Sequence, residues 1–283
     1  MGGPGESQHF FYHDQVKIMG SSVLKKKDAV TVIELLIALV LSSILTAVLY
    51  RAFINQQKTY TVQDQVAEMQ QHARVAIGQM TKEIRMAGYG GDMVSIFGNV
   101  NGFTDIITPE SNEITIILAD EVGVLKQNTA KGASQLRVTN AKIFNADKKK
   151  YLCLNGLNNY SVQSVTEDTI VLTAPLAEGH PVNQPVYLVK AISYYLGPSG
   201  GKTVLRRNEN TGGGGQPLAD NIESLEFAYF DLNGDVTVKP GDIRVVKVAI
   251  TAKTDMLDPE YKGGDGYRRR TLSSHINVRN MGL

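Results

Sequence analysis

Cysteine is nearly absent: Cys153 stands alone among 283 residues. No internal disulfide can form, so packing must hold the fold. That leaves the compartment open, because a protein outside the cytoplasm can also do without disulfides. Histidine is sparse as well, and the five (His9, His13, His72, His180, His275) share no metal-ligand spacing with one another or with Cys153. No charge of one sign dominates, with 29 basic residues against 28 acidic, so no global field draws the chain to nucleic acid. Hydrophobic residues make up 42% of the chain, enough for a folded domain and too little for many membrane spans. No Ser-His-Asp or Cys-His arrangement can be assembled. The Gly212–Gly215 run lacks the Lys-Ser/Thr and the strand-to-helix setting of a phosphate loop, and it reads as a flexible connection. Cys153 reads as a small buried hydrophobe. Nothing points to catalysis.

What the chain does have is one long apolar run. From Ala29 to Tyr50 the only charge is Glu34. At about 1.5 Å per residue, such a helix covers the thickness of a bilayer core. Lys25, Lys26 and Lys27 precede it and Arg51 follows, which keeps the lysines cytoplasmic and places the rest outside. A cleaved secretory signal has a shorter apolar region ending in a small-residue site, and a core helix seldom carries three lysines at one edge. The run therefore reads as a membrane span. Glu34 inside it costs about 2.5–3.5 kcal/mol, so the carboxylate needs a partner. Cleavage between Ala29 and Val30 would create an α-amino group four residues away, able to neutralise it within one chain or between offset neighbours.

A basic run, a small residue and then Val30-Thr31-Val32-Ile33-Glu34-Leu35-Leu36 resemble the processing motif of type IV prepilins. The resemblance implies a membrane aspartyl protease (the prepilin peptidase) that cuts between Ala29 and Val30 and methylates Val30, with Glu34 guiding subunit docking. The family's usual residues at these two positions are glycine and phenylalanine. Residues 1–29 would be the leader, with Met19 as an alternative start, and 30–53 the transmembrane helix.

Between Arg51 and Gly78 there is neither proline nor glycine. Val62, Val66, Met69, Ala73, Ala76 or Ile77, Met80 and Ile84 recur at spacings of three and four, the stripe of a helix laid on a sheet. Gln63, Gln65, Gln70, Gln71 and Gln79 mark the opposite, solvent-directed face. Residues 54–90 are thus the amphipathic continuation, with one helix expected from Val30 to Ala87 and Gly88, Gly90 and Gly91 stopping it. The ending Glu83-Ile-Arg-Met-Ala-Gly-Tyr89 and the C-terminal RRRTLSSHINVRNMGL resemble the W-type minor pilins.

From 91 to 283 short apolar runs alternate with Gly, Pro, Asn and Asp clusters, giving strands and turns. Examples are Glu113–Leu118, Gln135–Val138, Ile170–Thr173, Val186–Val189, Leu225–Phe230, Val245–Thr251 and His275–Val278. The class is α+β, a long N-terminal helix on an antiparallel β head, with insertions or a second β-subdomain expected near 130–190. The resemblance implies a minor pilin of a type IV pilus, anchored in the inner membrane with a periplasmic head before assembly and on the cell surface afterwards. It would sit near the filament tip, help start assembly and support adhesion or twitching motility. Its partners would be other pilins, the peptidase and the inner-membrane assembly machinery, with no nucleic acid. The alternatives are a pseudopilin of a type II secretion system, and a membrane-anchored periplasmic binding protein.

Three further clusters need a reading. Asp231, Asn233, Asp235, Thr237 and Asp242 fall at the first, third, fifth, seventh and twelfth positions of a calcium-type loop. Val236 stands where that loop needs glycine, and Lys239 adds a positive charge. The competing reading is a hairpin with Asn233-Gly234 as a type I′ turn between Leu225–Leu232 and Asp235–Val238. Calcium is the sole cofactor candidate, and none is expected otherwise. Asp255, Asp258, Glu260 and Asp265 read as a solvated loop. Arg268, Arg269 and Arg270 read either as an electropositive patch or as a solvated strand edge, since three adjacent strand residues cannot share a face.

Overall fold

The computed structural model describes residues 30–89, 98–144, 150–154, 158–258 and 260–281. Ala29 and the rest of the expected leader lie outside the described residues, as do Gly90 and Gly91.

The first element, α1, is a helix over Val32–Arg85, two residues inside the expected span at each end. The chain divides into two compact units between Gln56 and Gln57, a boundary within this helix. In the first unit the helix is apolar and bare. In the second its stripe is buried: Met69, Ala73, Ala76, Met80 and Ile84 are inside, and Val66 and Ile77 lie half-covered beside them. Of the two residues competing for one stripe position, Ala76 takes the core.

Twelve strands follow among the described residues: β1 (Ile107–Pro109), β2 (Glu113–Val124), β3 (Gln135–Arg137), β4 (Tyr151–Cys153), β5 (Asn159–Thr166), β6 (Thr169–Leu172), β7 (Pro185–Ser199), β8 (Lys202–Asn208), β9 (Gln216–Ala219), β10 (Ile222–Phe230), β11 (Val245–Lys253) and β12 (Arg269–Asn277). All their pairings are antiparallel. The expected α+β architecture, a long N-terminal helix with an antiparallel head, is the one observed.

Strand β7 organises the larger sheet. One edge pairs with β2, from Pro185 opposite Val124 to Tyr195 opposite Glu113. Its other edge is shared: Tyr187–Val189 pairs with β4, and Ser193–Ser199 pairs with β8. The β4 side leads through β5 and β6 to β3 and encloses its own apolar cluster, including Leu136, Phe144, Leu152, Ile170 and Leu188. Where insertions or a second β-subdomain were expected near 130–190, these strands extend the larger sheet and carry a core cluster of their own. The β8 side faces the second half of α1, where Tyr194 and Leu205 join Met80 and Ile84 in one core.

The smaller sheet runs β10-β11-β12. Strict alternation in β11 sends Val246, Val248, Ile250 and Ala252 inward to the same core. Each of the two valines and the isoleucine contributes about 1.5–3 kcal/mol on burial. Cys153 is fully buried in a third cluster with Ile117 and Val189, the place expected for a small hydrophobe.

Candidate functional site

The first unit presents a helix whose apolar stretch is long enough to cross a membrane, with none of its most apolar window buried. Its hydroxyls turn inward on the backbone: Ser43 Oγ donates to the Val40 carbonyl at 2.7 Å and Thr46 Oγ1 to the Ser42 carbonyl at 2.8 Å. In hydrocarbon that arrangement satisfies the hydroxyl protons of Ser43 and Thr46.

Glu34 has a partner within its own chain. Its Oε2 accepts the Thr31 backbone N–H at 2.8 Å and the Thr31 hydroxyl at 2.9 Å. The Thr31 oxygen in turn accepts the Glu34 N–H at 3.3 Å. This is a reciprocal capping box, worth about 1 kcal/mol to a helix start. The sequence carries its signature, threonine followed three residues later by glutamate, and the reading built only on a free amine passes it over. Val30 lies immediately before the pair and is exposed.

At the far end of α1 a second carboxylate is bound to the sheet. Glu83 Oε2 accepts the Tyr194 hydroxyl at 2.5 Å. Arg207 Nε lies 3.1 Å from Oε1 and 3.2 Å from Oε2, and Gln79 Nε2 donates to Oε1 at 2.6 Å. Arg207 also reaches Glu209 through Nη1 at 3.0 Å. Burial, and then the adjacent Glu83 carboxylate, push the Tyr194 hydroxyl far above its ordinary value of 10.0. One helix residue is thereby tied to β7 and β8 by charge-assisted bonds. Tyr194 and Arg207 carry no local sequence signal, since only the sheet register brings them to Glu83.

The helix exit is stitched in the same way. Gly88 adopts φ of +79° and its N–H donates to the Ile117 carbonyl at 2.8 Å. Asn280 Nδ2 donates to the Ala87 carbonyl at 3.2 Å. A Cβ on Gly88 would lie 3.2 Å from the Asn280 carbonyl oxygen, so the position needs glycine for both reasons. The Arg85-Met-Ala-Gly88 ending is therefore a junction between the helix, β2 and the C-terminal segment. Gln65 and Gln79 depart from the expected solvent face: Gln65 Oε1 accepts the Met256 N–H at 3.1 Å, and Gln79 serves Glu83.

The calcium-type loop is built as a turn. Asp231 Oδ1 accepts the N–H of Asn233 at 2.8 Å and of Asp235 at 2.9 Å. Gly234 has φ of +87° while Asn233 is not in the left-handed region. The expected type I′ turn is thus replaced by a type I turn with glycine at the bulge, because the Asp231 side chain organises the first half. Asp235–Val238 is not a strand; it touches β10 through one bridge between Phe230 and Val236. Thr237 and Asp242 lie beyond that turn, Asp242 in a short 3₁₀ turn over Pro240–Asp242. Among the described residues no group of three or more His, Cys, Asp or Glu side chains is placed to hold a metal.

Of the four acids expected in a solvated loop, Asp258 departs by being buried against Arg268, while Asp255 and Asp265 stay exposed although paired. The arginine run lies exposed at the start of edge strand β12, the second of its two readings. Arg268 lies 2.7 Å from Asp258, whose side chain is only 5% exposed. Arg269 pairs with Glu223 and, at 2.7 Å, with Asp265, and Asp255 pairs with Lys202. The Arg268 guanidinium holds the Asp258 carboxyl below its ordinary value, and Arg269 does the same for Asp265 and Glu223. The segment is acidic because the neighbouring strand is basic.

No family model matches the sequence, and no curated protein does either. Among solved structures, a type IV-like pilin from Thermus thermophilus is similar at 10% identity and a TM-score of 0.35, with 75% of this chain and 97% of that one covered. A likeness that distant carries no argument about this chain.

Proposed function

We propose that the chain is a minor pilin of a type IV pilus, cut between Ala29 and Val30, methylated on Val30 and built into the filament at or near its tip. In that role it helps start assembly and supports adhesion or twitching motility. It meets the prepilin peptidase and the inner-membrane machinery first and other pilins afterwards, with its head on the outer side of the membrane.

The observation that carries this reading is the division of labour along α1. Before Gln57 the helix is bare and apolar, with Glu34 as the single acid near its start. From Met69 to Ile84 the same helix is sunk in the head's core and clamped by Arg207 at Glu83. A plain anchor needs the first half alone. A filament subunit needs both, an apolar half to pack with sister helices and a buried half to hold the head.

Replacement of Glu34 by alanine tests the proposal. The variant should insert in the membrane at normal levels and lose filament assembly, read as surface piliation. Normal piliation with Glu34→Ala refutes the role given to the carboxylate.

A further inference from the structure

Beside the turn at Asn233-Gly234 the head opens a cavity of about 480 Å³ at the edge of the small sheet. Leu232, Val245 and Val278 form apolar walls, and Arg244 and Arg279 line it with positive charge. Most of this chain's arginines that meet a carboxylate do so at close range, as Arg207, Arg268 and Arg269 show. Arg244 and Arg279 have no acidic partner among the described residues. Asp231 also lines the cavity, but its Oδ1 is engaged by the backbone of its own turn.

Arg244 is the more telling of the two. Its Nη1 donates to the Gly241 and Ile243 carbonyls at 2.8 and 2.9 Å. Its Nε is buried with no hydrogen-bond partner. That Nε is out of a ligand's reach, whereas Nη2 makes no hydrogen bond among the described residues and is not buried, so it is the guanidinium nitrogen left to take a carboxylate oxygen. The rim adds a reason for something to cover the opening. Leu232, Val236 and Val238, on the loop that borders it, are 77%, 75% and 73% exposed, more than any other large hydrophobic described outside α1.

We propose that this cavity is a docking pocket for an extended segment of a partner protein that presents a carboxylate side chain next to an aliphatic one. The carboxylate binds Arg244 through Nη2, with Arg279 adding long-range attraction. The neighbouring aliphatic residue covers Leu232, Val245 and Val278. Charge selects the segment, and apolar contact holds it.

Fluorescence anisotropy on the full-length protein in detergent micelles tests this with two labelled peptides, Gly-Val-Glu-Leu-Gly amide and its twin with glutamine in place of glutamate. The glutamate peptide should bind at least about tenfold tighter, the effect of one charge-assisted pair. Arg244→Gln should abolish the difference. So should Leu232→Glu, which places a negative charge on the exposed rim without touching the core. Equal binding of the two peptides, or no binding of either, overturns the proposal. A glutamate preference that survives both substitutions overturns it too. If Arg244→Gln lowers the melting temperature and leaves the preference intact, Arg244 only braces the Pro240–Asp242 turn and the pocket assignment fails.

Discussion

Arg207 follows Glu83 by 124 positions, yet its Nε lies 3.1 Å from Glu83 Oε1 and its Nη2 3.0 Å from the same oxygen. This pair joins the second half of α1 to the sheet that makes the head. Arg207→Ala should therefore cost about 2–4 kcal/mol in urea denaturation. That is below the figure for a fully buried pair, because the arginine side chain keeps 22% exposure. Glu209→Ala removes a more exposed carboxylate, 39% accessible, and should cost less than about 1 kcal/mol. Equal losses would contradict the assignment of Glu83 as the main partner.

The two halves of α1 should respond differently to the same kind of truncation. Ile84→Ala empties a fully buried site and should destabilise the head by about 2–5 kcal/mol. Leu41→Ala removes a side chain that is 61% exposed and should leave the head's denaturation midpoint unchanged. A shared loss from both would mean that the apolar half belongs to the head's core.

The cap that Glu34 forms is separable from the docking role proposed for it. Thr31→Ala breaks the capping box and frays the helix start by about 1 kcal/mol, while the carboxylate stays in place. If the carboxylate acts between subunits, Thr31→Ala should retain most surface piliation where Glu34→Ala loses it. Equal loss in the two variants would reduce Glu34 to a helix cap.

Acid should weaken the head through Asp258. Its carboxyl is held below the ordinary 3.8 by Arg268, so near and below that value the unfolded chain binds more protons than the folded one. The stabilisation is present above about pH 4 and is lost as pH falls further. Thermal melting at pH 7 and pH 3 should show a drop that is smaller in Asp258→Asn, because that variant has already lost the ion pair at pH 7. An identical drop in both proteins would place the acid sensitivity elsewhere.

Added calcium should not raise the melting temperature, since the Asp231 oxygen that would lead the coordination already holds two backbone N–H groups. A rise of several degrees that chelator reverses would restore the calcium reading for Asp231, Asn233, Asp235, Thr237 and Asp242.

Elements with local causes were legible in the sequence. The stripe from Val66 to Ile84 announces which helix face is buried, because side chains three and four apart share a face whatever covers them. The glycine at 88 announces the helix end. Partners across the sheet were not legible, for the pairing of β7 with β8 alone brings Tyr194 and Arg207 to Glu83. The same holds for Asp258 and Arg268, which look like loop charges until the backbone bonds from Thr254 to Arg268 and from Asp258 to Gly266 set them side by side. At Asn233-Gly234 a local rule misled: the Asp231 side chain favours a type I turn over the mirror-image turn that Asn-Gly usually signals. The Thr31-x-x-Glu34 box was readable, and reading Glu34 only as a charge in lipid obscured it.

Mass spectrometry of the N-terminal peptide from protein recovered from its native cells tests the central claim most directly. The account predicts a mature chain beginning at Val30 and carrying one added methyl on its α-amino group. A chain that still carries Lys25, Lys26 and Lys27 ahead of Val30 would contradict it.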